Sequence, residues 1–409
     1  MSTAAAVAGL PDNQWRPRLR ELVAELTAET ALRTPGWQAV FAAVPRHPFV
    51  PLIYRRDQFG DLRAVDGHDP AQRETWLTEV YSDDSLITQL AQVRPGYALR
   101  PFTVPASSST RPSLMARMLE DLELADGMRV LEVGTGTGYN AALLSHRLGA
   151  QHVHSVDIHP GLIATARSRL ADLGYHPQLA TVDGTAGWPE HAPYDRIIAT
   201  CALFAVPATW ITQLRPNGLA LVHIEGPLGA GNLLALRHVA LDTMQGRFLP
   251  WWGCFMRRRA TAGPSVGSPR PARTGATPIT RTTALDPAEL DGGARFPFLA
   301  QLHLPPGVFR GMWHRDDGTT ITELRAPDGS WCEITREPDP DGCHTVREAG
   351  PTALCAHIET AWEQWTDLGT PAWHEFGLTA TPTQHTIWFG APNGPNWPLP
   401  IPDDNAGRA

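Results

Sequence analysis

The sequence predicts an α/β protein in which a parallel sheet with crossover helices is followed by a smaller C-terminal α+β unit. Between residues 129 and 225, short apolar runs alternate with helical patterns, as the strand-helix-strand connections of a parallel sheet require. After a stretch rich in Pro, Gly, Ser and Thr, the pattern changes to short strands joined by Pro-Asp-Gly turns. We therefore expect a Rossmann-like core and an accessory unit.

Changes in composition divide the 409 residues into four predicted segments. We predict a helical, substrate-side region packed on the core (1–125), the core itself (126–259), a linker (260–284) and the accessory unit (285–409). Seven of the 14 tryptophans fall in the accessory unit, where they could form a core or a peptide-binding surface. The sequence leaves both interpretations open.

Periodicity places the individual elements within these segments. In the N-terminal region we predict helices within 14–33, within 37–43 and from residue 114 onward. In the core we predict strands at 130–133, 152–156, 178–182, 195–200 and 219–224, with helices at 140–147, 160–173 and 207–214. In the accessory unit we predict strands at 320–325, 331–336 and 343–348, a helix at 353–368, and one or two strands within 375–390.

Composition excludes several classes of function. The net charge of −8 argues against a general nucleic-acid or anionic-membrane binder. The five cysteines form no C-x-x-C pair and are odd in number, so we predict reduced thiols and no metal site. No run of 18 apolar residues and no signal-like N-terminus occur, which leads us to expect a soluble cytoplasmic protein of unknown oligomeric state.

The most informative stretch is a strand, a glycine loop and a helix opening at Asn140. The loop glycines are Gly134, Gly136 and Gly138, and Glu132 precedes them. The chain has no lysine, which excludes a P-loop, and the G-x-G-x-G spacing differs from that of dinucleotide folds. A carboxylate at this position would repel a pyrophosphate and attract an ammonium group. S-adenosyl-L-methionine (SAM), which carries an ammonium and a sulfonium, meets that requirement.

Two further acids end the next two predicted strands. Asp157 lies 25 residues after Glu132, at the position that holds ribose hydroxyls in doubly wound folds, and Ile158 follows it. Asp183, next to Gly184, suits the amino group of an adenine. Each acid alone could be a loop residue or a helix cap, but three at successive strand ends favour a SAM site.

Four hydroxyl side chains, Ser107, Ser108, Ser109 and Thr110, precede the helix that begins near residue 114. They could cap that helix, since its first N–H groups lack partners within the helix. Alternatively, they could form a hydroxyl-rich wall over the cofactor. The neighbouring SAM pattern favours the wall.

Over roughly residues 40–225, the chain resembles protein-L-isoaspartate O-methyltransferase. Its motifs occur in the same order as in that family. The resemblance is carried by Val44-Pro45-Arg46-His47-Pro48-Phe49-Val50-Pro51, Tyr81-Ser82-Asp83-Asp84, the glycine loop, Asp183-Gly184 and Tyr194-Asp195-Arg196-Ile197-Ile198-Ala199-Thr200. It implies a SAM-dependent carboxyl O-methyltransferase that acts on isoaspartyl residues of proteins, whose methyl ester collapses to a succinimide.

The sequence departs from the family pattern in two places. Where repair enzymes read Gly-x-Gly-Gln-Thr-Ile-Ser-x-Pro, this chain has Ala106-Ser107-Ser108-Ser109-Thr110-Arg111-Pro112, so the resemblance makes Thr110 the catalytic hydroxyl. The second departure is the accessory unit, which repair enzymes generally lack. We also expect Asp83, Asp84, Thr88 and Thr200 to contact the substrate.

Both departures resemble homologues from the biosynthesis of ribosomal peptides. Segments 197–202, 246–250 and 298–306 are most similar to methyltransferases found with ATP-grasp peptide maturases (graspetides), with lanthipeptide-associated relatives close behind. This resemblance implies that an Asp side chain of a cyclised precursor peptide is methylated and then collapses to an aspartimide. The alternatives are a general isoaspartate repair enzyme, a small-molecule methyltransferase and a non-catalytic SAM-binding protein.

Overall fold

The computed structural model describes residues 10–93, 101–259, 270–291 and 295–401. Nine α-helices occur among the described residues, besides several short 3₁₀ turns. They are α1 (Asp12–Ala28), α2 (Pro35–Ala43), α3 (Arg73–Val80), α4 (Pro112–Asp121), α5 (Tyr139–Leu148), α6 (Pro160–Asp172), α7 (Ala208–Gln213), α8 (Arg295–His303) and α9 (Leu354–Asp367).

The described strands form three sheets. They are β1 (Leu52–Arg56), β2 (Leu62–Asp66), β3 (Leu86–Val93), β4 (Phe102–Ser109), β5 (Val130–Val133), β6 (Val153–Asp157), β7 (Gln178–Thr181), β8 (Tyr194–Leu203), β9 (Leu214–Glu225), β10 (Gly231–Ala240), β11 (Thr243–Phe248), β12 (Ile279–Thr283), β13 (Phe309–His314), β14 (Thr320–Arg325), β15 (Trp331–Thr335), β16 (His344–Ala349), β17 (Phe376–Ala380), β18 (His385–Phe389) and β19 (Asn396–Leu399).

The central sheet has ten strands in the order β19-β18-β17-β11-β10-β9-β8-β5-β6-β7. The pairs from β7 to β9 are parallel, and those from β9 to β19 are antiparallel. All four residues of β5 are buried, as expected for a parallel strand covered on both faces by helices. This half of the sheet is the predicted Rossmann-like core, and the α/β prediction is confirmed.

The N-terminal region contains a sheet that the sequence analysis missed. An antiparallel sheet in the order β2-β1-β3-β4 lies between α2 and α4 in the chain, in a region predicted to be helical. Its strands mix buried and exposed residues without regular alternation, so the period-2 signal is weak. The last strand, β4, carries three of the four predicted hydroxyl residues.

The predicted linker and accessory unit need two corrections. Residues 260–269 lie outside the described residues, but β12 belongs to a five-stranded antiparallel sheet, β12-β16-β15-β14-β13, so the linker ends earlier than predicted. The physical reason is the pairing of β12 with β16, a contact between residues more than 60 positions apart. In addition, β17, β18 and β19 extend the central sheet, so a boundary at residue 285 does not separate the sheets.

One apolar core joins the two units. It runs from residues of the parallel sheet such as Ile197 and Val222 to Leu299 and Val346 of the C-terminal unit. Five of the seven C-terminal tryptophans are buried, which favours the core interpretation over a peptide-binding surface. Within the described residues, none of the helices combines the length and apolar character that crossing a bilayer takes.

Candidate functional site

A cavity of about 330 Å³ opens at the carboxyl ends of the parallel strands. This is where open α/β sheets bind ligands, because helix N-termini and loop backbone meet there. Its lining brings together most of the residues predicted for the cofactor, the catalytic hydroxyl Thr110 and one residue predicted to contact the substrate. These are Ser107, Ser108, Ser109, Thr110, Glu132, Gly134, Gly136, Asp157, Ile158, Asp183, Gly184 and Thr200.

The glycine loop is held tightly against the ends of neighbouring strands. Gly134 has φ +102°, and a Cβ there would lie 2.5 Å from the Thr200 hydroxyl oxygen. That hydroxyl donates to the Gly134 carbonyl at 2.8 Å, so Thr200 positions the loop. Gly184 is required for space, since a Cβ would lie 2.2 Å from a Val133 methyl group. Only glycine fits at either position without rearrangement.

Glu132 is a fully buried carboxylate at the floor of the cavity. It accepts hydrogen bonds from Asn140 Nδ2 at 2.7 Å and from the Ser155 hydroxyl at 2.5 Å. Burial raises the pKa of Glu132 to about 7, although these two hydrogen bonds act in the opposite direction. An unneutralised buried carboxylate favours a cation, which is what the sequence analysis predicted for this position.

Asp157 links the second strand to the glycine loop. One carboxylate oxygen accepts from Gly136 N at 3.0 Å and the other from His159 N at 3.0 Å. Each carboxylate oxygen can accept more than one hydrogen bond, so the side chain can still receive hydroxyl donors in the cavity. Its predicted ribose contact stays a prediction, and the loop contact adds a second role that the sequence did not reveal.

Asp183 has a partner that the sequence analysis missed. Arg258 Nη1 lies 3.1 and 3.0 Å from the two Asp183 carboxylate oxygens. Asp183 also caps the short turn after β7 by accepting from Thr185 N at 3.0 Å. The same carboxylate therefore caps a turn and lines the cavity, and its predicted contact with adenine stays a prediction. An adenine amino group would share it with Arg258.

The hydroxyl segment forms a wall of the cavity and does not cap α4. Ser107, Ser108 and Ser109 lie in β4, and the N-cap residue of α4 is Arg111, whose side chain makes no cap hydrogen bond. The amide of Ser113 in the first turn of α4 instead donates to Asp83 Oδ1 at 2.7 Å. Asp83 was predicted to contact the substrate, but the structure uses it to cap a helix.

Arg46 holds this wall in place and was not predicted as a site residue. Its side chain is fully buried and contacts the backbone of Ser109 and Thr110. Its guanidinium donates to the Ser109 hydroxyl and to backbone carbonyls of five residues. These carbonyls belong to Val80 (3.1 Å), Ser82 (3.3 Å), Asp84 (3.0 Å), Ser109 (3.2 Å) and Thr110 (3.0 Å). Burial lowers the pKa of Arg46 to about 10, so it stays charged at neutral pH.

The remaining predicted residues have different positions. Four predicted residues are not among the described residues that line the cavity: Gly138, Asp83, Asp84 and Thr88. Gly138 precedes α5 with φ +92° and packs against α6, which is a role in chain geometry. Asp84 is exposed and lies 3.6 Å from Arg111 on the outer side of the wall. Thr200 lines the cavity but directs its hydroxyl to the glycine loop.

Comparison with known proteins identifies the family. Residues 70–235 match the profile of the protein-L-isoaspartate(D-aspartate) O-methyltransferase family. The chain is 32% identical over 199 residues to a protein-L-isoaspartate O-methyltransferase of Parvibaculum lavamentivorans, covering 48% of this chain and 84% of the relative. A Methanosarcina mazei enzyme of the same name is 30% identical, with 51% of this chain and 70% of the relative covered. The chain belongs to the protein-L-isoaspartate O-methyltransferase family.

Membership in this family makes the protein a SAM-dependent carboxyl methyltransferase, and SAM is its cofactor. The residues of the cavity fit that cofactor. Asn140 is buried, and its side-chain oxygen has no hydrogen-bond partner among the described residues. Beside it, burial raises the pKa of Glu132 to about 7, which makes a cation a favourable partner for its carboxylate. A ligand with an ammonium group supplies both the missing donors and the missing positive charge.

A solved structure of a protein-L-isoaspartate O-methyltransferase has a similar fold, with a TM-score of 0.50 and 24% identity. It covers 89% of this chain and 96% of that chain, so the similarity extends well beyond the methyltransferase core. That repair enzymes generally lack such a unit stays a prediction, but a fold of this extent occurs in one solved structure of that name. The unit is part of a fold that a protein of that name also has.

The segment 256–259 was the main omission of the sequence analysis. Met256, Arg257, Arg258 and Arg259 all line the cavity of this methyltransferase. The signal in the sequence was the run of three arginines directly before the predicted linker. The residues next to this run in the sequence do not indicate that it belongs to the site. The arginines instead contact Ala202, Asp183 and Glu225, which come from three other parts of the chain.

Proposed function

We propose that this protein transfers the methyl group of SAM to the carboxylate of an isoaspartyl residue in a peptide or protein. The observation that carries this proposal is the pairing of two walls in one cavity. An acid-lined wall with Glu132, Asp157 and Asp183 suits the cofactor, and a hydroxyl wall from Ser107 to Thr110 lies within the same cavity. Two relatives carry the name of that activity, and the match with this chain spans 84% of one and 70% of the other.

The reaction needs positioning and not proton transfer. Bound SAM would supply a methyl group on a sulfonium, so that its transfer to a carboxylate oxygen would give a methyl ester and leave a neutral thioether. A carboxylate is ionised at neutral pH, so no general base is required. The protein must orient the carboxylate in line with the bond that breaks and exclude water from it.

The residues of the cavity receive the following proposed roles. Glu132, together with the loop glycines Gly134 and Gly136, holds the methionyl end of SAM. Asp157 binds the ribose, while Asp183 and Gly184 border the adenine. The Thr110 hydroxyl donates to the incoming carboxylate, and the serines before it close that side of the cavity. The Arg46 guanidinium donates to the Thr110 carbonyl at 3.0 Å and so fixes the Thr110 backbone.

A second candidate is methylation of an ordinary Asp side chain in a cyclised precursor peptide. It is favoured by the segment 106–112, which departs from the usual motif of repair enzymes and lines the cavity from Ala106 to Thr110. The C-terminal unit no longer supports it, since a solved structure named for the isoaspartyl activity spans the same region. The isoaspartyl substrate is therefore the first candidate.

Mass spectrometry of the purified protein with SAM separates the two candidates. One substrate is a synthetic isoaspartyl peptide, and its control is the same peptide with ordinary Asp. The other is a macrocyclised precursor peptide encoded near the gene. We expect a methyl ester on the isoaspartyl peptide and none on its Asp control. If only the precursor gains a methyl group and then loses methanol, the second candidate is correct; if neither is methylated, both are wrong.

A further inference from the structure

The cavity has one wall that carries positive charge, formed by the extended segment 256–259. The segment pairs with the end of β8, since Ala202 N donates to Met256 O at 2.9 Å and Arg258 N donates to Ala202 O at 2.8 Å. These bonds hold three consecutive arginines at the carboxyl edge of the sheet, beside the acids and hydroxyls of the cavity. The sheet itself thus fixes the backbone position of the arginines.

The first two arginines have carboxylate partners within the protein. Arg257 donates to Glu225 at 2.6 Å and lies over the Phe204 ring at 5.2 Å. Arg258 pairs with Asp183, as described above. Their charges are balanced internally, so both side chains anchor the segment and neither offers a free charge to a substrate.

Arg259 differs from its neighbours. Its side chain is half-exposed and lines the cavity, yet among the described residues no carboxylate lies within 4.0 Å of its guanidinium. Ala91 and Val104 of the β3–β4 hairpin, which also line the cavity, are apolar. A partly desolvated guanidinium favours an anion as its partner.

The carboxylate that is methylated is a poor partner for Arg259. Its negative charge disappears as the methyl ester forms, so a cation bound to it would stabilise the substrate more than the transition state. A second carboxylate that keeps its charge throughout the reaction carries no such penalty. The charge complement of Arg259 is therefore an acidic side chain near the reacting residue.

We propose that Arg259 selects peptide substrates with an Asp or Glu adjacent to the residue that is methylated, an inference that rests on the proposed function. Arg257 and Arg258 hold the backbone, while Arg259 binds the acidic neighbour at the edge of the cavity. The contact is close to solvent, so its effect on affinity is moderate and falls with added salt.

The test measures binding of labelled isoaspartyl peptides to protein saturated with S-adenosyl-L-homocysteine, by fluorescence anisotropy. The peptides differ only in the residues that flank isoaspartate, which are Glu, Gln or Lys. We expect the Glu peptide to bind about three- to fivefold more tightly than the Gln peptide at low salt, and the Lys peptide most weakly. Arg259→Gln should abolish this order, and Arg259→Lys should keep most of it. Arg20→Gln, which changes an exposed arginine of α1, is the matched control.

An unchanged preference in Arg259→Gln would overturn the inference, as would a wild-type preference that survives 0.5 M salt. Methylation assays with the same peptides keep the two proposals apart. If all three peptides are methylated with equal KM, only the role of Arg259 is wrong. If none is methylated, the isoaspartyl function is wrong, while the anisotropy order still decides whether Arg259 selects acidic peptides.

Discussion

The two walls of the cavity are built in different ways. The wall proposed to bind the cofactor, called the cofactor wall, comes from the ends of β5, β6 and β7 and the loops that follow them, a continuous stretch of about 50 residues. The wall proposed to face the substrate, called the substrate wall, is assembled from Arg46, the turn at residues 80–84, the end of β4 and the segment 256–259. The first depends on local sequence and the second on contacts between distant segments. The two walls should therefore respond differently to mutation.

The largest expected effect is at Arg46. Arg46→Met leaves five backbone carbonyls without their donor inside the protein, so we expect the free energy of unfolding to fall by about 3–5 kcal/mol. Urea unfolding measures this loss. If the walls are independent, the folded fraction should bind S-adenosyl-L-homocysteine almost as well as wild type while its methyl-transfer rate falls by about tenfold or more.

Arg46→Lys keeps the charge but offers fewer donors, so it should recover part of the stability and part of the rate. Arg20→Met is the control, because Arg20 is exposed on α1. Equal losses of cofactor affinity and turnover in Arg46→Lys would show that the two walls are not independent.

The next effect concerns Glu132 and depends on pH. Because burial raises the folded-state pKa of Glu132 to about 7 from an ordinary value of 4.5, the folded protein resists losing this proton. Its contribution to stability is fully present below pH 4.5 and is lost as the pH rises through 7, which amounts to about 3 kcal/mol without cofactor. Glu132→Gln removes this dependence.

We therefore expect Glu132→Gln to be more stable than wild type at pH 8 and to lose that advantage at pH 5, as measured by thermal unfolding without cofactor. S-adenosyl-L-homocysteine should bind the variant about tenfold or more weakly at pH 8, because its ammonium loses a buried carboxylate partner. Parallel stability curves for the variant and wild type from pH 5 to 8 would contradict this account of Glu132.

The smallest expected effects come from removing a single hydroxyl group that belongs to, or supports, one of the two walls. Thr110→Ala should lower kcat about three- to tenfold with little change in cofactor affinity, and Thr110→Ser should keep most of the rate. Thr200→Val is the counterpart for the cofactor wall, because Thr200 of β8 holds the glycine loop of that wall in place. Since its hydroxyl donates to Gly134 O at 2.8 Å, it should mainly weaken cofactor binding. Steady-state kinetics with titration of SAM distinguishes the two patterns, and identical patterns would refute the assignment of Thr110.

Most of the regular elements could be predicted, because each depends on a short local pattern. The strands β14 and β15 and the helix α9 lie within two residues of their predicted positions, and β17 and β18 fall within the range predicted to hold one or two strands. The position of the three acids in the cavity was also predictable, since each lies at the end of a strand whose position follows from apolar runs. The antiparallel sheet of the N-terminal region was not, because its strands lack regular alternation of buried and exposed residues.

The sequence by itself determined the parallel core, the glycine loop and the acids that line the cavity. Only the tertiary structure decided that Asp83 caps α4, that Arg46 supports the hydroxyl wall, and that Arg258 pairs with Asp183 across 75 positions of the chain. It also decided that β17 joins the central sheet beside β11. The physical reason is that these contacts join segments distant in sequence, often through backbone carbonyls that every residue has. Such contacts leave no pattern in the sequence of either partner.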